Sequence, residues 1–239
     1  MKSRLGVNVD HIATLRNARG EGHPDPISYA RQVMNFGANS ITIHLREDRR
    51  HIRDEDVAIF SKIKRVPINL EMAANNEMLK IALKYKPNFV CIVPEKRNEI
   101  TTEWCLNITK NKKIIKKIIS KLNSKKIRTS LFINPNIKDV FASKELNAKC
   151  VELHTGKFAL KVKNNKNYLV EFKKIKNCAT LAKKLGMEVH AGHGLDYKST
   201  KILRKIKSIE EFNIGHFIIG EAIMFGMKKV ITNFRKILN

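Results

Sequence analysis

The chain alternates between short apolar runs and longer segments in which apolar residues recur with helical spacing. The apolar runs are rich in Val, Ile and Phe and lack strict two-residue alternation, which is typical of strands buried on both faces. The eight predicted strands are Leu5–Val9, Ser40–Leu45, Pro67–Met72, Phe89–Pro94, Arg128–Ile133, Cys150–His154, Glu188–Ala191 and Phe212–Ile219. The predicted helices are Ile27–Phe36, Asp54–Ile63, Asn76–Lys84, Lys112–Leu122, Ile137–Leu146, Leu169–Leu185, Thr200–Ile206 and Glu221–Leu238.

Eight strands that alternate with helices predict an α/β fold, a closed parallel (β/α)8 or TIM barrel. Chain breakers stand where the predicted helices stop: Gly37, Pro87 and Gly186 each lie a few residues before the next strand. No linker, low-complexity segment or sequence repeat interrupts the alternation. Residues 1–239 are therefore predicted to form a single TIM-barrel domain.

The polar residues at the strand ends are the candidates for chemistry, because TIM barrels carry their active sites at the C-terminal ends of the strands. These residues are Asn8, Asp10, His11, His44, Arg46, His51, Glu71, Glu95, Thr101, Glu152, His154, His190, His193, Gly194, Gly215 and His216. All the histidines except His23 are among them. So many histidines on one rim favour an acid–base site over a set of unrelated core histidines.

Two clusters on this rim have the composition of phosphate sites. The ends of strands seven and eight read AGHG and IGHFIIGEA, whose glycines let backbone N–H groups approach an anion. We expect Glu221 to open a short helix pointing at that anion; the alternative is that the glycines only make tight turns. The second cluster, in HLREDRRH, consists of Arg46, Arg49, Arg50 and His51, with Arg16 and Arg19 on the same rim. The guanidinium groups of this cluster could bind phosphate oxygens, but the sequence is equally typical of a solvent-exposed charged run with internal salt bridges.

A metal site is the main competitor for so many histidines. Metal-dependent barrel hydrolases have an HxH pair at strand one, where this chain has Asp10-His11. No other strand supplies histidines one residue apart, although His190 and His193 are a possible pair, so the residues favour catalysis without a metal. Apart from Lys96, just after strand four, no lysine lies at a strand end in an apolar setting, which argues against a Schiff base on the enzyme. The amine of any imine would then belong to a substrate.

Composition fits a cytoplasmic protein and adds one unusual feature, the charge. Apolar residues make up 43% of the chain, enough for a sizeable core, and no apolar run approaches the ~18 residues that span a bilayer. The N-terminus lacks a signal pattern, and the four cysteines lack CxxC spacing. The formal charge of +25 permits a nucleic-acid partner, but the lysines are spread along predicted helices as on solvated faces. Part of this charge would also attract small anionic substrates.

Seven runs in order along the chain resemble those of the pyridoxine 5′-phosphate synthase family. They are VNVDHIATLRNAR, ITIHLREDRRHI, NLEMA, VPEKRNEITTE, ELHTG, AGHGLDY and NIGHFIIG. The resemblance implies a TIM barrel with extra helices that assembles as a homo-octamer and uses no metal or organic cofactor. It implies condensation of 3-amino-2-oxopropyl phosphate with 1-deoxy-D-xylulose 5-phosphate to pyridoxine 5′-phosphate, phosphate and water.

The resemblance also implies a role for each matching residue. The amino-oxopropyl phosphate would be held by Asn8, Arg19, Gly194, Gly215 and His216. The deoxyxylulose phosphate would be held by Asp10, His11, Arg46, His51 and Thr101. His44 and Glu71 match proton acceptors, His193 matches a proton donor, and Glu152 matches a residue that stabilises the transition state.

Three positions depart from the family pattern. Trp104-Cys105 stands where family members have Gly-Gly, Glu221 replaces a common arginine, and His190 replaces a common asparagine. None of the three is a proposed proton-transfer residue. The leading hypothesis is a transferase-type enzyme of vitamin B6 biosynthesis. The alternatives are another metal-free phosphosugar isomerase or lyase, and a basic nucleic-acid-binding barrel.

Overall fold

The computed structural model describes residues 2–94 and 105–239, which contain a closed barrel of eight parallel strands. The strands are β1 (Arg4–Asn8), β2 (Ser40–His44), β3 (Ile68–Ala73), β4 (Phe89–Val93), β5 (Arg128–Ile133), β6 (Cys150–His154), β7 (Glu188–Gly192) and β8 (Glu211–Ile214). Each strand pairs with the next along the chain, and β8 pairs with β1 to close the barrel. The predicted TIM-barrel fold is confirmed.

Eleven helices surround the barrel in the described ranges, so some connections carry two helices. The helices are α1 (Asp10–Arg19), α2 (Pro26–Asn35), α3 (Asp54–Phe60), α4 (Asn76–Tyr85), α5 (Lys112–Ser124), α6 (Ile137–Glu145), α7 (Gly156–Lys163), α8 (Leu169–Lys184), α9 (Tyr197–Leu203), α10 (His216–Phe225) and α11 (Met227–Leu238). The doubled connections follow β1, β6 and β8, and they account for the extra helices expected of this barrel.

The strands are apolar on the face toward the helices and polar on the face toward the barrel axis. Leu5, Val7 and Ile41 are fully buried in the main hydrophobic core. Inside the barrel, Asn213 of β8 donates a hydrogen bond to Glu152 of β6 at 2.7 Å, which joins two strands that are not neighbours. The strands are thus buried on both faces, as predicted: every residue of β2 and of β8 is buried.

Helix α5 shows how the excess positive charge is carried. Ile115, Ile118, Ile119 and Leu122 recur at helical spacing and are buried against the barrel. Five of the helix's lysines, at 112, 113, 116, 117 and 121, are exposed on the opposite face. This arrangement is the solvated helix face expected from the sequence.

Three predicted boundaries need correction. The strand predicted over Phe212–Ile219 ends at Ile214, because the apolar run that follows belongs to α10, where Ile218 and Ile219 are buried. Glu221 consequently lies in the middle of α10 and does not open a helix. Helices α1 and α7 were not predicted, since both begin within two residues of the end of a strand. In the part of the chain that is described, no helix is long and apolar enough to cross a membrane.

Candidate active site

Asp10 links the ends of β1 and β2 at the C-terminal rim of the barrel. Its backbone N–H donates to Asn8 Oδ1 at 2.9 Å, and its Oδ2 accepts from Asn8 Nδ2 at 2.7 Å. Its Oδ1 accepts from the backbone N–H of His44 at 2.8 Å. The carboxylate therefore fixes the two strand ends and places Asn8 and His44 beside one another.

Glu71 lies on the neighbouring strand beside His44. The Glu71 Oε2 atom is 3.8 Å from His44 Nδ1, and the Glu71 side chain is 17% exposed. Burial raises the pKa of Glu71 well above its usual 4.5, and the nearby charges of Glu152 and Asp10 raise it further. A carboxyl with a raised pKa is suited to take up and return protons near neutral pH.

Glu152 is held deeper in the barrel than Glu71. It is 3% exposed, and burial raises its pKa although His190 and the hydrogen bond from Asn213 oppose this effect. Gly192 is needed for this position, since a side-chain carbon there would lie only 2.1 Å from Glu152 Oε1. Asn213 was missed in the sequence, although a polar residue at alternate positions of a strand is the signal of an inward-facing side chain.

His51 and Arg46 lie on the loop that follows β2. The two imidazole rings of His51 and His44 are 5.9 Å apart, and His51 Nδ1 accepts from the Ile52 backbone N–H at 2.9 Å. Burial lowers the pKa of His51, which keeps its ring neutral at physiological pH. Arg46 is 3% exposed, and its Nε lies 3.6 Å from Asp48 Oδ1.

The other arginines expected on this rim are used in ion pairs. Arg16 is buried and donates to both carboxylate oxygens of Asp56, at 2.6 and 2.8 Å. It also donates to the backbone carbonyl of His51 at 3.2 Å, so it positions the loop and does not offer a free charge. Arg49 donates to Asp54 at 2.8 Å and Arg50 donates to Asp48 at 2.6 Å. Both arginines therefore form the internal salt bridges that were the alternative to a phosphate site in the run HLREDRRH.

His193 and His154 form a stacked pair where β6 and β7 end. Their ring centroids are 4.8 Å apart with an interplanar angle of 26°. His193 has a φ of 78°, a conformation that costs a non-glycine residue about 1–2 kcal/mol. Gly194 follows with a φ of 75°, which glycine adopts without that cost. Two successive residues with positive φ turn the chain sharply at the rim.

The N-terminus of α10 lies at the same rim and is suited to an anion. Gly215 caps this helix without a side-chain hydrogen bond, and a side-chain carbon at 215 would lie 2.8 Å from Asn8 Cβ. His216 begins the helix and its ring is 5.0 Å from that of His11. Burial lowers the pKa of His11. The uncapped backbone N–H groups and the helix dipole favour a phosphate here.

Two residues predicted near the site are not brought to it. Arg19 lies at the far end of α1, where it is 76% exposed and pairs with Glu21 at 3.3 Å. His190 lies within β7, where Nε2 is 3.1 Å from Glu188 Oε1 and Nδ1 is 3.6 Å from Glu211 Oε1. It was expected at the rim, but it belongs to an ion-pair network toward the N-terminal end of the barrel that includes Arg4. Glu95, Lys96, Thr101 and Trp104 lie outside the described residues.

Within residues 2–94 and 105–239, two groups of side chains have the ligand spacing that a metal ion requires. The first is Asp10, His44 and His51, and the second is Cys150, Glu188 and His190. In the first group, Asp10 accepts hydrogen bonds at both oxygens, and His51 Nδ1 accepts another. In the second, Glu188 is paired with Arg4 and with Arg128, whose positive charges oppose a cation. Both groups are therefore better suited to their present hydrogen bonds than to a metal ion.

The fold is shared with other enzymes at low sequence identity. The tryptophan synthase A-subunit from Pyrococcus furiosus matches with a TM-score of 0.62 and 15% identity, covering 100% of this chain and 99% of that one. At this identity the likeness concerns the barrel alone.

Sequence comparison identifies the family. Residues 5–239 match the family model described as "Pyridoxal phosphate biosynthesis protein PdxJ". The chain is 63% identical over 236 residues to the pyridoxine 5′-phosphate synthase of Pelagibacter ubique (strain HTCC1062), covering 99% of each protein. It is 49% identical over 236 residues to the synthase of Zymomonas mobilis subsp. mobilis, covering 99% of this chain and 91% of that one. The chain therefore belongs to the pyridoxine 5′-phosphate synthase family of enzymes.

Proposed function

We propose that the chain condenses 3-amino-2-oxopropyl phosphate with 1-deoxy-D-xylulose 5-phosphate to form pyridoxine 5′-phosphate, phosphate and water, using only its own acid–base groups. The observation that carries the proposal is the half-buried carboxyl of Glu71, whose pKa is raised and which lies 3.8 Å from His44 at the rim that also holds the α10 N-terminus. A base near an anion site is what proton removal from a phosphorylated substrate requires.

The proton-transfer roles follow from the surroundings of each group. Glu71 and His44 accept protons from carbons next to a carbonyl or imine, because both lie at the rim within reach of one substrate. His193 donates a proton to the departing water or phosphate oxygen. Glu152, held by Asn213 below the rim, stabilises positive charge that develops in the transition state. The amine that forms the imine belongs to the substrate.

The two substrates bind in adjoining parts of the same rim, where Asn8 of the first site is hydrogen-bonded to Asp10 of the second. The amino-oxopropyl phosphate is held by Asn8, Gly194, Gly215 and His216, together with Arg19, whose side chain would have to leave Glu21. The deoxyxylulose phosphate is held by Asp10, His11, Arg46 and His51, together with Thr101 of the undescribed segment. The uncapped helix supports the first site, and the buried guanidinium of Arg46 supports the second.

We also propose that the enzyme is a cytoplasmic homo-octamer, in keeping with the family resemblance. Ile223, Met224 and Phe225 at the end of α10 are 71%, 76% and 53% exposed, which is an apolar surface that self-association would cover. Analytical ultracentrifugation measures the number of subunits directly, and a stable monomer at micromolar concentration would contradict this proposal.

Product analysis tests the proposed reaction. Purified protein freed of metal ions is incubated with both substrates, and the products are separated and analysed by mass spectrometry. We expect the mass and pyridine absorbance of pyridoxine 5′-phosphate, with one equivalent of inorganic phosphate. Conversion of one phosphosugar without the other would instead identify an isomerase or lyase. Absence of any product, with tight salt-dependent binding of duplex DNA or RNA, would favour the nucleic-acid alternative.

A further inference from the structure

The segment His154-Thr155-Gly156, which joins the end of β6 to the start of α7, contacts His193 in three separate ways. His154 stacks on the His193 ring, and the Thr155 hydroxyl lies within hydrogen-bond distance of the His193 backbone carbonyl. Gly156 lies against both imidazole rings, where a side-chain carbon would collide with them. None of the three residues is among those given a catalytic or substrate-binding role above. Their shared contact with one proton-transfer candidate therefore needs a separate explanation.

The first contact is between imidazole rings. His154 stacks on His193 at 4.8 Å, and the edge of Phe132 meets the His154 ring at 5.3 Å and an angle of 79°. The buried Nε2 of His154 has no hydrogen-bond partner among the described residues, so hydrogen bonding at this atom does not hold the ring. Burial, with smaller contributions from His193 and Lys157, lowers the pKa of His154 to about 4. A neutral ring can stack on His193 without repelling a proton carried there.

The second contact fixes the backbone of His193 in its positive-φ conformation. Thr155 is fully buried, and its Oγ1 lies 2.7 Å from the carbonyl oxygens of both Gly192 and His193. The Gly192 carbonyl already accepts from the Thr155 backbone N–H at 2.9 Å. The single hydroxyl proton can be donated to either carbonyl, and the hydroxyl is the only group of Thr155 that bonds to the His193 carbonyl.

The third contact is a space that only glycine leaves open. A side-chain carbon at 156 would lie 2.8 Å from His154 Cε1 and 3.0 Å from His193 Cδ2. The closer distance is shorter than real side-chain carbons show, so the stacked rings would have to move. Gly156 is also the first residue of α7, where alanine would otherwise be the better helix former.

We propose that His154, Thr155 and Gly156 are positioning residues that hold the His193 imidazole in its proton-donating orientation. His154 sets the plane of the ring, Thr155 sets the backbone from which the ring projects, and Gly156 leaves room for the pair. The proposal rests on the proposed function, in which His193 is the proton donor.

The hydroxyl is tested with Thr155→Val, which keeps the shape of the side chain, and with Thr155→Ser, which restores the hydroxyl. Misplacing a catalytic group by about 1 Å costs up to ~100-fold in rate, so Thr155→Val should lower kcat by about 10- to 100-fold. KM for both substrates should stay within roughly twofold, since the group acts in the chemical step and not in binding. Thr155→Ser should recover most of the lost kcat. Equal loss in both variants would overturn the role of the hydroxyl.

The stacking of the His154 ring and the space at Gly156 are tested with further variants. His154→Phe keeps an aromatic plane and should retain more activity than His154→Leu; equal losses would show that stacking is not what matters. Gly156→Ala should lower kcat without lowering the melting temperature. Gly22→Ala is its control, because Gly22 is exposed and nothing lies within 4 Å of an added carbon.

Crystal structures of the Thr155 and Gly156 variants separate this proposal from the proposed function. We expect a displaced His193 ring in Thr155→Val and Gly156→Ala and an unchanged ring in Thr155→Ser. A displaced ring with normal kcat would mean that His193 is held as proposed but is not the proton donor. An unmoved ring with reduced kcat would mean that the segment does not position His193, and the proposal would be wrong.

Discussion

Arg16 and Asp56 form a buried ion pair, and the loss of one partner without the other should be strongly destabilising. The two side chains are 9% and 7% exposed, and the guanidinium makes two short bonds to the carboxylate. Arg16→Met would leave the Asp56 charge buried without its partner, which costs about 3–5 kcal/mol. For a chain of this size each kcal/mol lowers the melting temperature by about 2–4 °C. We therefore expect a loss of roughly 6–20 °C.

A double variant distinguishes the unpaired charge from simple loss of packing. Arg16→Met combined with Asp56→Leu removes both charges and should recover most of the stability. It should remain about 1 kcal/mol below the wild type, because Asp56 also accepts from the Arg53 backbone N–H at the start of α3. Thermal and urea unfolding of the single variant, the double variant and the wild type measure these differences.

The matched control is Lys112→Met. Lys112 and Glu145 form an ion pair at 3.1 Å, but both side chains are more than half exposed, at 56% and 63%. Such a pair contributes about 0–1 kcal/mol. If Arg16→Met is no more damaging than Lys112→Met, or if the double variant is as unstable as the single one, the reasoning from the buried charge is refuted.

Four further predictions concern the site. Glu71→Gln should lower kcat by about 10²–10⁴-fold with little change in KM, and normal turnover would exclude Glu71 as a base. The Glu71 carboxyl keeps its proton to higher pH in the folded chain than in the unfolded chain, where its pKa is about 4.5. The free energy of unfolding of the wild type should therefore fall as the pH rises above about 4.5. The stability of Glu71→Gln relative to wild type should therefore increase with pH in urea unfolding, and a constant difference would contradict the raised pKa. Arg46→Ala or His51→Ala should weaken binding of deoxyxylulose phosphate by roughly 1.5–3 kcal/mol, seen as a higher KM for that substrate alone. Activity should survive treatment with a chelator. If the chelator abolished activity and added zinc or manganese restored it, the enzyme would use a catalytic metal.

Most strand positions could be predicted because β-branched runs between breakers are a local signal. The strand starts at Arg128 and Cys150 were placed correctly for this reason. The apolar run after Ile214 was misassigned, since a short apolar run is compatible with a strand or a buried helix. The distinction depends on packing against the rest of the barrel, which the local sequence does not contain.

The candidate site was predictable where residues end a strand, and less so where long-range contacts decide their use. Asp10, His44 and Glu71 were placed together from strand order alone, and the structure confirms that they are neighbours. Arg16 was expected to add charge to the rim, but Asp56, which neutralises it, lies 40 residues further along the chain. The inward-facing Asn213 was missed for a similar reason, since its partner Glu152 is 61 residues away.

The polar interior of the barrel also determines how the strands align. The apolar outer face would tolerate a slip of two residues between neighbouring strands, because such a slip returns every side chain to the same face. The inner face would not tolerate it. A slip of β8 would separate Asn213 from Glu152, and a slip of β7 would separate Glu188 from Arg4 and Arg128. Each error would leave a buried or half-buried polar group or charge unpaired, so the interior specifies one register among alternatives that hydrophobic burial alone would accept.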